Sequence, residues 1–373
     1  MKFLMLIPAT KIENIHRKAP WVEIPLAFGE LGWESRLICS EFFADKLQDV
    51  KVLKTEIKDT SFFSHIIGLI RSVRVIVEYN PDIILQAGQP FLFLPKVLVG
   101  FFDLFKIREE KKKIFWSMKL DWDGEIGFLT NPVIHKVRLW LFSINSRILD
   151  HLFVESTCPY NALKKLPLID IKKVTIINNG FPQDLYSYDM ESFKNKSKII
   201  LCVARIVPLK GQDLLLNSFI KLSEKYKDWK LIFVGPIEDK EYYSNLLSEI
   251  KTRNLERRIS FRISISEEEL EELYKTSSIF CLPSYKEGFS QVRMEAIANY
   301  LPVVTTDAGC GRDLEKYGSF CFQRGDINAL TGIIANLMEN ESLRFEASLE
   351  QIKHILTYKD NAKAIISTYQ NNK

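Results

Sequence analysis

The sequence predicts an α/β protein built from two doubly wound, parallel-sheet domains that face each other across a cleft. Three observations carry that reading. The chain has 373 residues, which at ~150 residues per domain suggests two. Short apolar runs alternate with longer amphipathic segments, the signature of repeated strand–helix–strand units. Most of the short runs are apolar on both faces, as parallel strands covered by helices must be.

The first series of strands is expected at 2–7, 36–39, 50–53, 82–86, 113–117, 151–154 and 174–177. The second is expected at 199–203, 230–234, 258–261, 279–283 and 302–305, with 320–322 as a further candidate. Pro20 can open a helix running to Leu31, although Pro25 should distort it. Ser266-Glu267-Glu268-Glu269 reads as a capping box, with Leu270, Leu273 and Tyr274 on one face of the helix that follows. The seam between the two series is placed at 178–198, where Asn-Asn-Gly, Pro182 and a polar stretch concentrate turn and linker chemistry. The domains are therefore expected at 1–180 and 181–357, with ligands bound at the C-terminal ends of the strands.

Composition narrows the function classes. The chain is 46% hydrophobic and 26% charged, which suits a folded protein rather than a disordered one. No stretch supplies the ~20 consecutive apolar residues of a membrane span. The net charge of +4 is too mild to imply nucleic acid. It is unevenly spread: residues 1–180 hold 25 basic and 20 acidic side chains, the remainder 26 and 27. Six cysteines without a CxxC pair read as buried free thiols in a reducing, cytoplasmic compartment. The N-terminal apolar run is short and lacks a cleavage pattern, so it reads as a buried first strand.

Two stretches carry chemistry. In Ile200–Leu216 a buried strand delivers Arg205 to a loop, and Lys210-Gly211 precedes a helix. Two cations so placed can grip a diphosphate, Arg as a fork and Lys as a point charge. In Cys281–Asp313 a buried strand ends near Pro283, a loop Glu287-Gly288-Phe289-Ser290 follows, and a helix opens near Gln291. Loop amides and a helix N-terminus favour an anionic or polyhydroxyl ligand. Glu287 and Glu295 lie eight positions apart, one before the helix and one about a turn inside it. Both can face one ligand, Glu295 as acceptor for two adjacent hydroxyls.

The ordered set A-R-x-x-x-x-K-G, F-V-G-P, P-S-x-x-E-G-F-x-x-x-x-x-E-A and P-V-V resembles retaining glycosyltransferases of family 4, which have the GT-B fold of two Rossmann-like domains. Glu287 and Glu295 match that family's E-x7-E motif, and Asn179-Gly180-Phe181 and Gly325-Asp326 also fit its pattern. The resemblance covers about residues 174–337; the first half agrees only in strand order. It implies sugar transfer from a nucleotide-sugar donor to a hydroxyl of a glycan or lipid-linked acceptor. Arg205, Lys210 and Glu287 would be catalytic, the two cations holding the donor diphosphate. Glu295 would take the ribose, and Glu287 with the amides of Gly288, Phe289 and Ser290 the sugar. Gly235 and Gln291 would complete the donor site. Arg262 and Ile263 fall where the base-contacting loop of the family usually has glycine. A helix at 358–373 would cross back to the first domain. Neither metal nor cofactor is implied.

Acceptor contacts are expected in the first half. Asp121-Trp122-Asp123 follows the fifth strand, where it is either an acceptor-facing pair or a polar loop. Lys119 stands near a position where the family often has histidine, and His16 lies in the first strand–helix loop. Residues 62–77 and 91–105 read as core helices, or as a surface that meets an anionic membrane at the inner face of the cell. The alternatives are a non-catalytic sugar-nucleotide binder or another two-domain enzyme of this architecture, such as a sugar epimerase. No G-x-G-x-x-G follows the first strand, which disfavours a dinucleotide oxidoreductase.

Overall fold

The computed structural model describes residues 1–12, 20–42, 50–54, 62–87, 115–120, 147, 149–166, 169–182, 193 and 196–372. The chain divides into two compact units, Met1–Pro182 with Leu356–Lys373, and Gln183–Ile355.

The first unit holds a seven-stranded parallel sheet in the order β3-β2-β1-β4-β5-β6-β7. Its strands are β1 (Lys2–Ile12), β2 (Glu34–Phe42), β3 (Lys51–Lys54), β4 (Ile83–Ala87), β5 (Phe115–Leu120), β6 (His151–Val154) and β7 (Val174–Ile176). Strand order reverses between β1 and β4, the signature of a doubly wound sheet. β1 runs five residues past the expected end at Ile7. Its pairing with β2 shifts register between Ile7 and Lys11, an irregularity at which Pro8 is tolerated inside a strand. Helix α1 (Pro20–Glu30) continues through Pro25, which is buried with Val22, Ile24 and Phe28. Here core packing outweighs the lost backbone bond. Helix α2 (Phe62–Tyr79) covers the other face through Val73, Ile76 and Tyr79. Helix α3 (Thr157–Lys164) follows β6.

The second unit holds a six-stranded parallel sheet in the order β10-β9-β8-β11-β12-β13. These are β8 (Ile199–Val203), β9 (Lys230–Val234), β10 (Ile259–Arg262), β11 (Ile279–Leu282), β12 (Val303–Thr306) and β13 (Phe320–Phe322). Strands β11 and β12 are buried at every position, as the uninterrupted apolar runs require. The helices are α4 (Gln212–Ser223), α5 (Lys240–Thr252), α6 (Glu267–Thr276), α7 (Gln291–Ala298), α8 (Gly311–Glu315), α9 (Ile327–Glu339) and α10 (Glu341–Ile352). Ser266 and Glu269 form the expected capping box of α6, and Asp326 caps α9 by accepting from Asn328 and Ala329. Lys196 is folded inward, its ammonium donating to the carbonyls of Tyr274, Lys275 and Asn299 at 3.4, 3.0 and 3.0 Å. It thereby satisfies carbonyls at the C-termini of α6 and α7 together.

Helix α11 (Tyr358–Asn371) belongs to the first unit. Tyr358, Ala362, Ile365 and Tyr369 join the cluster formed by Phe28 and Phe115. The two passages of the chain beside this helix are stitched together. Phe181 N–H donates to the Leu356 carbonyl at 2.8 Å, and Asn361 bonds Gly180 N–H and the Asn178 carbonyl. A Cβ at Gly180 would fall 2.4 Å from the Tyr358 nitrogen, so only glycine lets the backbones meet there.

The thiols carry no disulfide among the described residues. No helix among them is long and apolar enough to cross a membrane.

Candidate functional site

Strand order in the second sheet reverses between β8 and β11, which are hydrogen-bonded neighbours. In open α/β sheets the ends of such a pair leave a crevice. The loops leaving β8 and β11 carry the motif residues, and backbone contacts lock them together. Pro208–Lys210 forms a 3₁₀ turn ending at Gly211, whose φ of +67° is left-handed. A Cβ there would lie 2.3 Å from the Pro283 carbonyl oxygen, so glycine alone permits the approach. Tyr285 N–H donates to the Leu209 carbonyl at 2.9 Å.

This stitching brings Lys210 to Glu287. Their Nζ and Oε1 atoms are 2.7 Å apart, with side chains 17% and 7% exposed. The Ser284 hydroxyl, fully buried, donates to the same carboxylate oxygen at 2.7 Å. Ser284 was not among the expected site residues, although it stands in the P-S-x-x-E segment three positions before the glutamate. That spacing spans one tight turn, which is the signal that could have found it. Arg205 is more open and forms an ion pair with Glu238. Its carbonyl accepts from Gln212 Nε2 at 2.8 Å. Neither Glu238 nor Gln212 stands in a motif; the pairing of Ile206 with Ile237 brings the first to Arg205.

Gly235 directly follows β9 with a φ of +141°, and its N–H donates to the Arg262 carbonyl at 3.0 Å. Arg262 ends β10, and Ile263 beyond it is 41% exposed. On the other flank, the 287–290 loop enters α7. Phe289 is buried, and Ser290, the N-cap of α7, sits at φ +60° without a side-chain cap bond. Positive φ at a non-glycine residue is strained, and such strain concentrates at functional sites. Gln291 opens the helix. Glu295 lies one turn further, 7% exposed, beside Tyr274. Burial, and then the charge of Glu295 and the hydrogen bond to it, push the Tyr274 phenol well above its ordinary pKa. The two glutamates therefore have different partners: a cation and a hydroxyl for Glu287, a phenol for Glu295. Burial first, and the Glu287 charge second, push the Cys202 thiol on β8 up to about 12. A thiol so shifted stays neutral near pH 7.

Of the residues expected on the acceptor side, Lys119 is on β5, its backbone in register with Ala87 and Phe153. His16, Asp121 and Asp123 lie outside the described residues, as does 91–105. No group of three or more His, Cys, Asp or Glu side chains that could hold a metal ion occurs among the described residues.

The two parallel doubly wound sheets give this chain the GT-B fold. Residues 189–353, nearly the whole second unit, match the model of the glycosyl transferases group 1 family. A relative in Haemophilus influenzae, an uncharacterized glycosyltransferase, is 32% identical over 158 residues, 42% of this chain and 43% of that protein. The capsular polysaccharide biosynthesis glycosyltransferase CapM of Staphylococcus aureus is 23% identical over 302 residues, 77% of this chain and 75% of that protein. The chain covers less than half the length of the first relatives it matches. Among solved structures, Anabaena HepE in complex with UDP and glucose superposes with a TM-score of 0.69 at 16% identity, covering 99% of each chain. A glycosyltransferase of Rickettsia africae superposes at 0.75 and 16% identity, covering 100% and 98%.

Proposed function

We propose that the protein is a retaining glycosyltransferase that moves a sugar from a nucleotide-sugar donor to a hydroxyl of a glycan or lipid-linked acceptor. The observation that carries this reading is the Lys210–Glu287 pair at the reversal point of the second sheet, inside the segment that matches the family. The CapM relative and the UDP-bound neighbour support a nucleotide donor and a glycan product.

The chemistry follows from the residues. Departure of a nucleoside diphosphate places negative charge on its terminal phosphate. Lys210 and Arg205 reach that charge from one loop, so the cations are in place before the bond breaks. Glu287 and the amides of Gly288, Phe289 and Ser290 hold the sugar, and Glu295 holds the ribose. The acceptor oxygen attacks from the face the diphosphate leaves, through an oxocarbenium-like state. Its proton passes to the departing phosphate oxygen, and the anomeric configuration is kept. The cations carry the leaving-group charge, so no bound metal or cofactor is required.

The first unit is assigned to the acceptor. On α2, Ile67 and Ile70 are 47% and 50% exposed, and Arg71 and Arg74 share that face at helical spacing. Such a face suits peripheral contact with an anionic bilayer at the inner side of a membrane. A protein that ignored anionic liposomes at low salt would refute this part.

The test is a transfer assay with UDP-, GDP-, ADP- and CMP-sugars, read by nucleoside diphosphate or CMP release and by NMR of the product anomer. Release that depends on acceptor, with retained configuration, supports the reading. Binding without release on any acceptor identifies a sugar-nucleotide binder, and an inverted product refutes retention.

A further inference from the structure

The first turn of α7 holds a buried cation for which the donor contacts leave no role. Arg293 is fully buried. Its Nη1 lies 3.3 Å from Cys310 Sγ and 3.5 Å from the Ala308 carbonyl, and no carboxylate among the described residues pairs with it. Its Nε and Nη2, and the Nε2 of Gln291 two residues earlier, are buried without a hydrogen-bond partner among the described residues. An ionised side chain in that state weakens the fold rather than supporting it, so its presence calls for a reason other than stability.

The reason lies in what the cation rests against. The turn after β12, residues 307–311, packs directly behind the 287–290 loop. Cys310 N–H donates to the Gly288 carbonyl at 3.3 Å. Its thiol donates to the Phe289 carbonyl at 3.0 Å. Gly309, at φ +59°, comes so close that a Cβ would lie 2.1 Å from the Gly288 oxygen and 2.5 Å from the Glu287 oxygen. Three successive carbonyls, those of residues 287, 288 and 289, therefore face the turn that Arg293 touches. In a trans peptide the carbonyl of one residue and the N–H of the next point in opposite directions, and no peptide among the described residues is cis. The N–H groups of Gly288, Phe289 and Ser290 must then point the other way, as a row of donors aimed out of the turn. Successive amides so aligned form an anion- and hydroxyl-binding concavity.

We propose that Arg293 is a positioning residue of the donor site. Through Cys310 and the 307–311 turn it holds the peptide planes of 287–290 with their amides toward the donor. Its unpaired charge, in a dry setting behind those amides, raises the positive potential that the diphosphate and sugar meet. This rests on the donor site proposed above. It adds to that site a residue that touches no part of the donor.

A structural arginine and a positioning one respond differently to substitution. Arg293→Met keeps most of the volume and removes a buried unpaired charge, a change that is neutral or stabilising for folding. The protein should therefore melt at the wild-type temperature or above it. Binding of UDP, GDP or ADP, measured by calorimetry, should nonetheless weaken on the order of tenfold, as expected for a unit charge at about one nanometre in an effective dielectric of ~20. Arg293→Lys should recover part of that affinity. Arg312→Ala, which removes an exposed cation paired with Glu315, should leave it unchanged. Wild-type affinity in Arg293→Met overturns the proposal, and so does a lowered melting point that Arg293→Lys does not restore. If the wild type binds none of the three nucleotides, the donor site itself fails and this role falls with it.

Discussion

Replacing Lys210 with methionine strips the Glu287 carboxylate of its cation and leaves it with the Ser284 hydroxyl, in a position only 7% exposed. Two unit charges 2.7 Å apart attract by about 6 kcal/mol at an effective dielectric of ~20. Desolvation of two mostly buried ions offsets much of this, so the net coupling should be about 2–3 kcal/mol. Removing one partner should cost about 3 kcal/mol, because it strands a buried charge. Lys210→Met is expected to lose that amount. Glu287→Gln should lose somewhat less, because Lys210 is 17% exposed and can be partly hydrated. The double variant should recover about 2–3 kcal/mol relative to the sum of the singles. The assay is a urea titration of all four proteins, followed by hydrogen exchange in peptides spanning β8 and β11, so that the second unit is monitored by itself. Turnover offers a contrast: it should fall by orders of magnitude in Lys210→Met and stay low in the double variant. Both lack Lys210, one of the two cations that act on the leaving group, and Arg205 alone remains. A coupling below about 0.5 kcal/mol, the value for solvent-exposed pairs, would refute the buried geometry. Wild-type turnover in Lys210→Met would refute the catalytic assignment.

Further predictions concern other parts of the chain. Burial, and then the charge of Lys173, hold His151 down at about 4, against ~6.5 in an unfolded chain. The first unit should lose stability as pH falls from ~6.5 to ~4, by at most about 3 kcal/mol. His151→Phe, set between Phe115 and Phe153, should flatten that dependence in acid titrations followed by circular dichroism. Gly309→Ala places a methyl group against two carbonyls of the 287–290 loop. It should abolish detectable nucleoside diphosphate binding by calorimetry while leaving the first unit's hydrogen-exchange protection unchanged. Excess EDTA should leave transfer activity at its untreated level, and loss of activity restored by a divalent ion would show that the cations do not suffice.

How much of this was legible beforehand varies by element. The strands 199–203, 230–234 and 151–154 matched residue for residue, because each is apolar on both faces and bounded by polar or turn residues. The end of β1 was misjudged because Pro8 reads as a strand breaker. Only pairing with β2 shows the register shift that accommodates it. Arg205, Lys210, Glu287 and Glu295 were visible as residue types at informative spacing. Their partners Ser284, Glu238 and Tyr274 were not, since each is an ordinary side chain in sequence and acquires its meaning from a neighbour on another segment.

The sequence alone determined the class of the fold and the strand ends at which charged and glycine residues collect, because hydrophobic period and turn chemistry are local properties. It could not determine which strand ends are adjacent. Sheet order places β8 beside β11 although some 75 residues separate them, and that adjacency turns Lys210 and Glu287 into a buried pair. The same holds for Arg293. In the sequence it is one more cation on a helix. In the structure it lies behind a turn whose glycine and cysteine face the carbonyls of the donor loop, because close packing, unlike propensity, is decided only when distant segments share one volume.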